Sequence, residues 1–201
     1  MHLYYSHTSP YARKVSMFLH YSGLIDHCQL HVLTFESDEL RKHNPLGKIP
    51  ALVDGELNLF ESDLILEYLD DKHALNGAPS TLNRGEVSYY AQRKQQAYAN
   101  GILEAAVHIV METRRSTEHS EYWLGRWHEA ITASLVALDV THVGSAEKPN
   151  MATFTLAAAL GYLDFRLPQL NWSQHNPELV PWFAAVEECE WFIQTAPPSG
   201  N

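Results

Sequence analysis

The stretch Tyr4-Tyr-Ser-His-Thr-Ser-Pro-Tyr-Ala-Arg-Lys-Val15 decides how this chain begins to fold. An alternating strand over residues 2–6 leads into a helix predicted over 10–21. Ser9 stands where an N-cap belongs, and Pro10 takes the first helical position, where a missing N–H costs nothing. Ala12, Val15, Phe18 and Leu19 share one helix face at the i, i+3, i+4 spacing. Gly23 follows the helix end.

Working outward, residues 28–33 alternate as a second strand, with Cys28, Leu30 and Val32 on one side. A short polar helix fits 38–42. Asn44-Pro-Leu-Gly-Lys-Ile-Pro50 is a turn-rich loop. Residues 51–53 and 57–60 form a hairpin around Asp54-Gly55-Glu56. A helix follows over 62–72, with Leu64, Ile65, Tyr68 and Leu69 facing inward. The order β-α-β-α-β-β-α allows a parallel pair with a right-handed crossover and an antiparallel edge, a thioredoxin-like arrangement. Residues 77–83 break the pattern and read as a linker.

Everything beyond the linker is helical in pattern. One long helix, whole or broken, covers 84–115, with Gly101 a kink site. A second covers 122–140. Residues 150–166 are apolar nearly all round, which marks a buried central helix. Short helices over 177–188 and 190–194 close the chain. The predicted architecture is a thioredoxin-like α/β domain over 1–76, a linker over 77–83, and an all-α bundle over 84–201.

The net charge of −10 makes a phosphate backbone a poor partner, since the basic groups are short (Arg13-Lys14, Arg93-Lys94, Arg114-Arg115). No apolar run is long enough to span a bilayer, and the early strand leaves no room for a signal peptide. The two cysteines, Cys28 and Cys189, form no CxxC pair and are expected as reduced thiols of a cytoplasmic protein. The 12 histidines invite a metal reading, but His27 and His31 on a strand lie ~13 Å apart and no HExxH occurs, so no metal is expected. Asp70-Asp71 reads as a solvated helix end.

Three short motifs carry chemistry. Ser9 sits among unpaired N–H groups at the positive end of a helix, where an anion such as a thiolate is favoured. Ser9 and Ala12 fall where a CxxC motif would place its sulfurs, which excludes protein dithiol exchange at this site. A serine there can hydrogen-bond a bound thiolate and lower its pKa from the ordinary ~8.5. Taken alone, Ser before Pro is more often a plain cap. Ile49-Pro50 joins a loop to a strand. An isolated X-Pro is usually an ordinary turn, with a cis bond the alternative. Ser62 can cap the third helix and form a carboxylate site, with Glu61 pairing an ammonium. Jointly, the three describe a pocket for an amino-acid head group, a peptide backbone and a thiol, which is γ-glutamyl-cysteinyl-glycine.

The segments Thr8-Ser-Pro-Tyr-Ala-Arg-Lys-Val15, Asn44-Pro-Leu-Gly-Lys-Ile-Pro-Ala-Leu52 and Phe60-Glu-Ser-Asp-Leu-Ile-Leu-Glu-Tyr-Leu69 resemble the glutathione transferase N-domain. Residues 150–166, Pro181-Trp182 and 192–198 resemble its helical domain and ending. The similarity is greatest to small bacterial members with Ser-Pro at the active-site position. The resemblance implies that Ser9 donates to the thiolate, Lys48 approaches the glycyl carboxylate, and Ile49 makes backbone contacts with Pro50 cis. Glu61 and Ser62 hold the γ-glutamyl end. It implies an electrophile pocket involving Tyr11, Tyr98, Asn100 and His108, glutathione as co-substrate, and a homodimer. Tyr5 and Thr8 are alternative donors. The implied reaction is thiolate attack on an apolar or aromatic electrophile. A glutathione-dependent isomerase or dehalogenase, or a non-catalytic binding or regulatory protein, is the alternative. One departure concerns the central helix. Many members carry Asp at the position of Thr153, so a weaker cap is expected.

Overall fold

A computed structural model describes residues 1–34, 36–82, 84–85 and 87–198. The last residue of the expected linker, position 86 of the expected 84–115 helix, and the end of the expected helical domain (199–201) lie outside the described residues. The chain folds as two compact units. Met1–Leu82 with Glu188–Asn201 make the first, and Asn83–Glu187 the second. The segment after Glu187 therefore groups with the first unit, not with the 84–201 bundle expected from the sequence.

The first unit has strands β1 (His2–Tyr5), β2 (Gln29–Val32), β3 (Ala51–Asp54) and β4 (Leu57–Phe60). Its helices are α1 (Pro10–Tyr21), α2 (Asp38–His43) and α3 (Ser62–Leu75). The sheet order is β2-β1-β3-β4. β1 and β2 are parallel, with Leu3 opposite Leu30, and α1 makes the crossover between them. β3 runs antiparallel to both β1 and β4. This is the thioredoxin-like arrangement. Leu3, Val15, Phe18, Leu19, Ile65 and Leu69 are fully buried. Each such side chain contributes about 1.5–3 kcal/mol relative to exposure. Leu64, expected inward, is 49% exposed, and Leu66 is buried in its stead. The apolar stripe of α3 is thus rotated from the predicted one.

Three charged residues are interior. Lys14 is fully buried and pairs with Asp63 across α1 and α3. Arg13 stacks on Phe192, 4.1 Å from guanidinium carbon to ring centroid, and donates to the Phe192 carbonyl at 3.4 Å. This is where the short C-terminal helix, Glu190–Ile193, packs on α1. Asp70, expected in a solvated helix end, is also fully buried. It accepts the backbone N–H and hydroxyl of Thr81, both at 2.7 Å, and the hydroxyl of Ser80. The carboxylate pins the segment leaving α3, and both of its oxygens accept hydrogen bonds.

The second unit holds α4 (Tyr89–Thr113), α5 (Glu121–Ala137), α6 (Met151–Arg166) and α7 (Leu179–Glu187); the C-terminal helix of the first unit is α8 (Glu190–Ile193). α4 is one unbroken helix, passing through Gly101 and packing against both α5 and α6. Met151 to Leu163 of α6 is buried without interruption, as its all-round apolar pattern requires. The weak cap expected for α6 is corrected. Thr153 N–H donates to Asn150 Oδ1 at 3.1 Å, and Asn150 N–H donates back to Thr153 Oγ1 at 3.0 Å, a full capping box. The Thr153 hydroxyl also donates to the Gly144 carbonyl at 3.1 Å, which an ionised Asp cannot do. Gly144 leaves no room for a Cβ, which would come within 2.7 Å of the Asn150 and Thr153 atoms.

Candidate functional site

The strand register brings the three chemical motifs to one end of the sheet. Tyr4 of β1 faces Ala51 of β3, and Ala51 faces Phe60 of β4. The C-terminal end of β1, the N-terminal end of β3 and the C-terminal end of β4 therefore lie side by side. They lead to Ser9, from Pro50, and to Glu61. Neighbouring strands are about 4.8 Å apart, so the outer two exits are separated by about 10 Å. That is about the reach of an extended tripeptide.

Ser9 is the N-cap of α1, with φ −81° and ψ 118°. Its Oγ accepts the Ala12 N–H at 3.2 Å. Among the described residues its hydroxyl makes no other hydrogen bond, so the proton remains to be donated. Of the alternative donors, Tyr5 is half-buried among apolar neighbours, and burial raises its phenol above the ordinary value. Thr8 is exposed.

The Ile49-Pro50 bond is cis. Ile49 is buried with Ala12, Leu40 and Ala51, beneath the start of β3. Lys48 lies exposed beside it. Asn44 organises this loop, a role that the motifs of the sequence do not assign to it. It is 1% exposed, donates from Nδ2 to the Lys48 carbonyl at 2.8 Å, and accepts the Leu46 N–H at Oδ1 at 3.0 Å. Gly47 at φ 62° completes the turn. The signal for it is the Asn-Pro dipeptide, since Asn bonds its own backbone two residues on.

Glu61 has φ 76° and ψ 118°, a left-sided conformation rarely adopted by a residue with a Cβ. Such backbone costs about 1–3 kcal/mol and is held by its surroundings. Glu61, not Ser62, is the N-cap of α3, which corrects the expectation. Its carboxylate accepts the N–H groups of Asp63 and Leu64, the nearest contacts at 3.1 Å. Ser62 is the first helical residue, 4% exposed, with its hydroxyl 3.5 Å from Glu61 Oε1. The pair of the buried Lys14 with the half-buried Asp63 ties this helix start to α1, so the two helices carrying Ser9 and Glu61 are held together.

The predicted electrophile residues do not converge within their own units. Tyr11 is half-buried on α1. Tyr98 and Asn100 leave α4 roughly 200° apart at 100° per residue, on nearly opposite sides. Lys94 lies over the Tyr98 ring at 5.6 Å, and His108 packs on Trp127 of α5 at 5.1 Å. The histidines are likewise spread. The rings of His2 and His31 touch at 3.0 Å, and among the described residues no group of three potential metal ligands forms. Burial pushes the Cys28 thiol up to about 11, so it stays protonated at neutral pH. Also among the described residues, no helix is long and apolar enough to cross a membrane.

Residues 3–78 match the family described as glutathione S-transferase, N-terminal domain. Over 98% of its length the chain is 35% identical to the GST-like protein YibF of Escherichia coli K12, covering 99% of that protein. The chain belongs to the glutathione S-transferase family. It is also 31% identical to glutathione S-transferase Z1 of Arabidopsis thaliana, over 77% of this chain and 68% of that one. Among solved structures, it is similar to a glutathione transferase family member from Pseudomonas fluorescens Pf-5 with bound glutathione. That likeness has a TM-score of 0.90 and 32% identity, and covers 98% of both chains.

Proposed function

We propose that this family member is a glutathione transferase, in which the thioredoxin-like domain binds glutathione and Ser9 promotes attack of its thiolate on an apolar or aromatic electrophile. The observation that carries the reading is the register. Three adjacent strand ends deliver a helix-capping hydroxyl with a free proton, a cis-Pro backbone edge and the α3 N-terminus to one line. Ser9 then hydrogen-bonds the thiolate, and the positive end of α1 adds to its stabilisation. Ile49 offers its backbone N–H and C=O to the cysteinyl unit, with Pro50 holding that edge open, and Lys48 meets the glycyl carboxylate. At the other end, the ligand's carboxylate replaces the Glu61 side chain on the N–H groups of α3, beside the Ser62 hydroxyl. Glu61 then turns to the ligand's ammonium, so a cap becomes a counter-ion.

The electrophile approaches from the side of Tyr11. His108 is about 80° from each of Tyr98 and Asn100 on α4, so it lines up fully with neither. The family relationship supports a cytoplasmic homodimer, and light scattering at the monomer mass counts against the dimer. Calorimetric titration with glutathione tests the central claim. Saturable binding is expected in the parent and its loss in the Glu61→Ala, Ser62→Ala double variant. No binding at millimolar glutathione means that the scaffold serves another ligand, and the enzyme reading falls.

A further inference from the structure

The helical unit contains a cavity of its own, about 420 Å³, between the C-terminal ends of α4 and α6 and the first turns of α5. Ile109, Val110, Leu124 and Leu167 supply an apolar wall. Arg114, Arg166 and His128 supply the polar side, and among the described residues no carboxylate lines it. In a chain with a net charge of −10, a concave site holding two guanidiniums and no acid is a departure from the average surface. The volume falls in the range of small-molecule sites, roughly 300–1,000 Å³.

The two arginines come from different elements. Arg114 caps the end of α4, and Arg166 is the last residue of α6. Cations at helix C-termini are favoured by the dipole, which accounts for the residue type. It does not account for their convergence over a hollow. Both act on the same neighbour, lowering the phenol pKa of Tyr162 against the larger raising effect of burial. Among the described residues Arg114 has no carboxylate within ion-pair distance. Arg166 lies over Phe165, its guanidinium carbon 4.0 Å from the ring centroid, which holds the side chain at the rim of the hollow. His128 donates from Nδ1 to the Leu124 carbonyl at 2.7 Å, which fixes the ring and leaves Nε2 as the second polar atom.

We propose that this cavity binds an organic carboxylate with an aryl or alkyl tail, the carboxylate meeting Arg114 and Arg166 and the tail lying on Leu124 and Ile109. The site is independent of the glutathione reading, since none of its residues belongs to that site.

The test uses the full-length protein, with 4-phenylbutyrate as probe and 4-phenylbutanamide as its neutral counterpart, by calorimetry or ligand-observed NMR. The acid is expected to bind saturably and about tenfold more tightly than the amide, as charge-assisted hydrogen bonds require. Arg114→Gln and Arg166→Gln are each expected to weaken the acid about tenfold and to leave the amide unchanged. Arg114→Lys should retain more of the acid's affinity than Arg114→Gln. Glutathione binding should be unaltered in all three. Arg114 is exposed at a helix end, so its variants fold even if the half-buried Arg166 proves sensitive. Equal binding of acid and amide, an acid affinity indifferent to Arg114→Gln, displacement of the acid by S-hexylglutathione, or no saturable binding would each overturn the proposal.

Discussion

Helices α1 and α6 both begin with a side-chain oxygen that takes a backbone N–H, yet the two starts are finished differently. At α6, Asn150 and Thr153 answer each other, and the remaining Thr153 proton goes to the Gly144 carbonyl. The Trp182 indole N–H closes on that same carbonyl at 2.9 Å. The polar groups of this start are directed at the protein itself. At α1, Ser9 accepts the Ala12 N–H and keeps its own proton. No described residue answers it in the way that Thr153 answers Asn150. A closed cap holds a fold together, whereas an open one has capacity left for a ligand. The start of α3 is intermediate. Glu61 satisfies two N–H groups, but from a backbone conformation that carries a cost, so it can be exchanged.

The sharpest way to break this contrast is Ser9→Ala. It should lower kcat/KM for glutathione conjugation by about 100-fold, the scale seen when one donor to a developing anion is removed. Stability should change by no more than the ordinary cap value, about 1 kcal/mol. A thermal melt and steady-state kinetics on the same sample separate the two effects, and a variant that melts early but turns over normally would make Ser9 a plain cap. The mirror experiment is Thr153→Ala. It should cost about 1–3 kcal/mol, since the return half of the capping box is lost and the buried Asn150 N–H is left without its acceptor, while activity per folded molecule is kept. Urea titration reads the first and active-site-normalised rates the second.

Smaller effects sharpen the picture. With its thiol pKa at about 11, Cys28 should alkylate with iodoacetamide far more slowly at pH 7 than a free cysteine, and speed up only as the pH climbs toward that value. Fast labelling of Cys28 at neutral pH would show that the thiol is not buried as described. Least in size, the Asp54 carboxylate accepts hydrogen bonds from Lys72 Nζ and the Tyr68 hydroxyl, both at 2.6 Å, which hold its pKa below the ordinary carboxylate range. A depressed carboxyl contributes stability above its unfolded pKa and loses it as the pH falls through the folded one. Asp54→Asn should therefore narrow the gap to the parent as the pH drops below about 4, with a difference under about 1 kcal/mol at neutral pH because the pair is partly exposed.

Much of this is legible in the amino-acid sequence. Ser9-Pro10, the Asn44–Pro50 loop and Glu61-Ser62 sit at element ends, where local chemistry specifies conformation: a cap, a fixed φ, an Asx turn. Period and composition likewise mark the buried run of α6. The errors share a cause. Asp70 reads as part of a solvated helix end because its partners Ser80 and Thr81 are 10 and 11 residues away, and no local pattern records a distant partner; nor does any mark the pairing of Lys14 with Asp63, 49 residues on. The inward face of α3 is misplaced for the same reason, since Leu64 and Leu66 are equally apolar and only packing chooses between them. The electrophile candidates on α4 are residue types without directions, and 100° per residue scatters them.

The amino-acid sequence by itself determined the order of elements, the cap at Ser9 and the family. Those are properties of short segments, set by sterics and hydrogen bonding within a few residues. Tertiary structure alone decided that three strand ends meet in register, that Lys14 and Asp63 hold α1 to α3, and that Arg114 and Arg166 converge on one hollow. These depend on which surfaces are removed from water together, a choice that the whole unit makes at once.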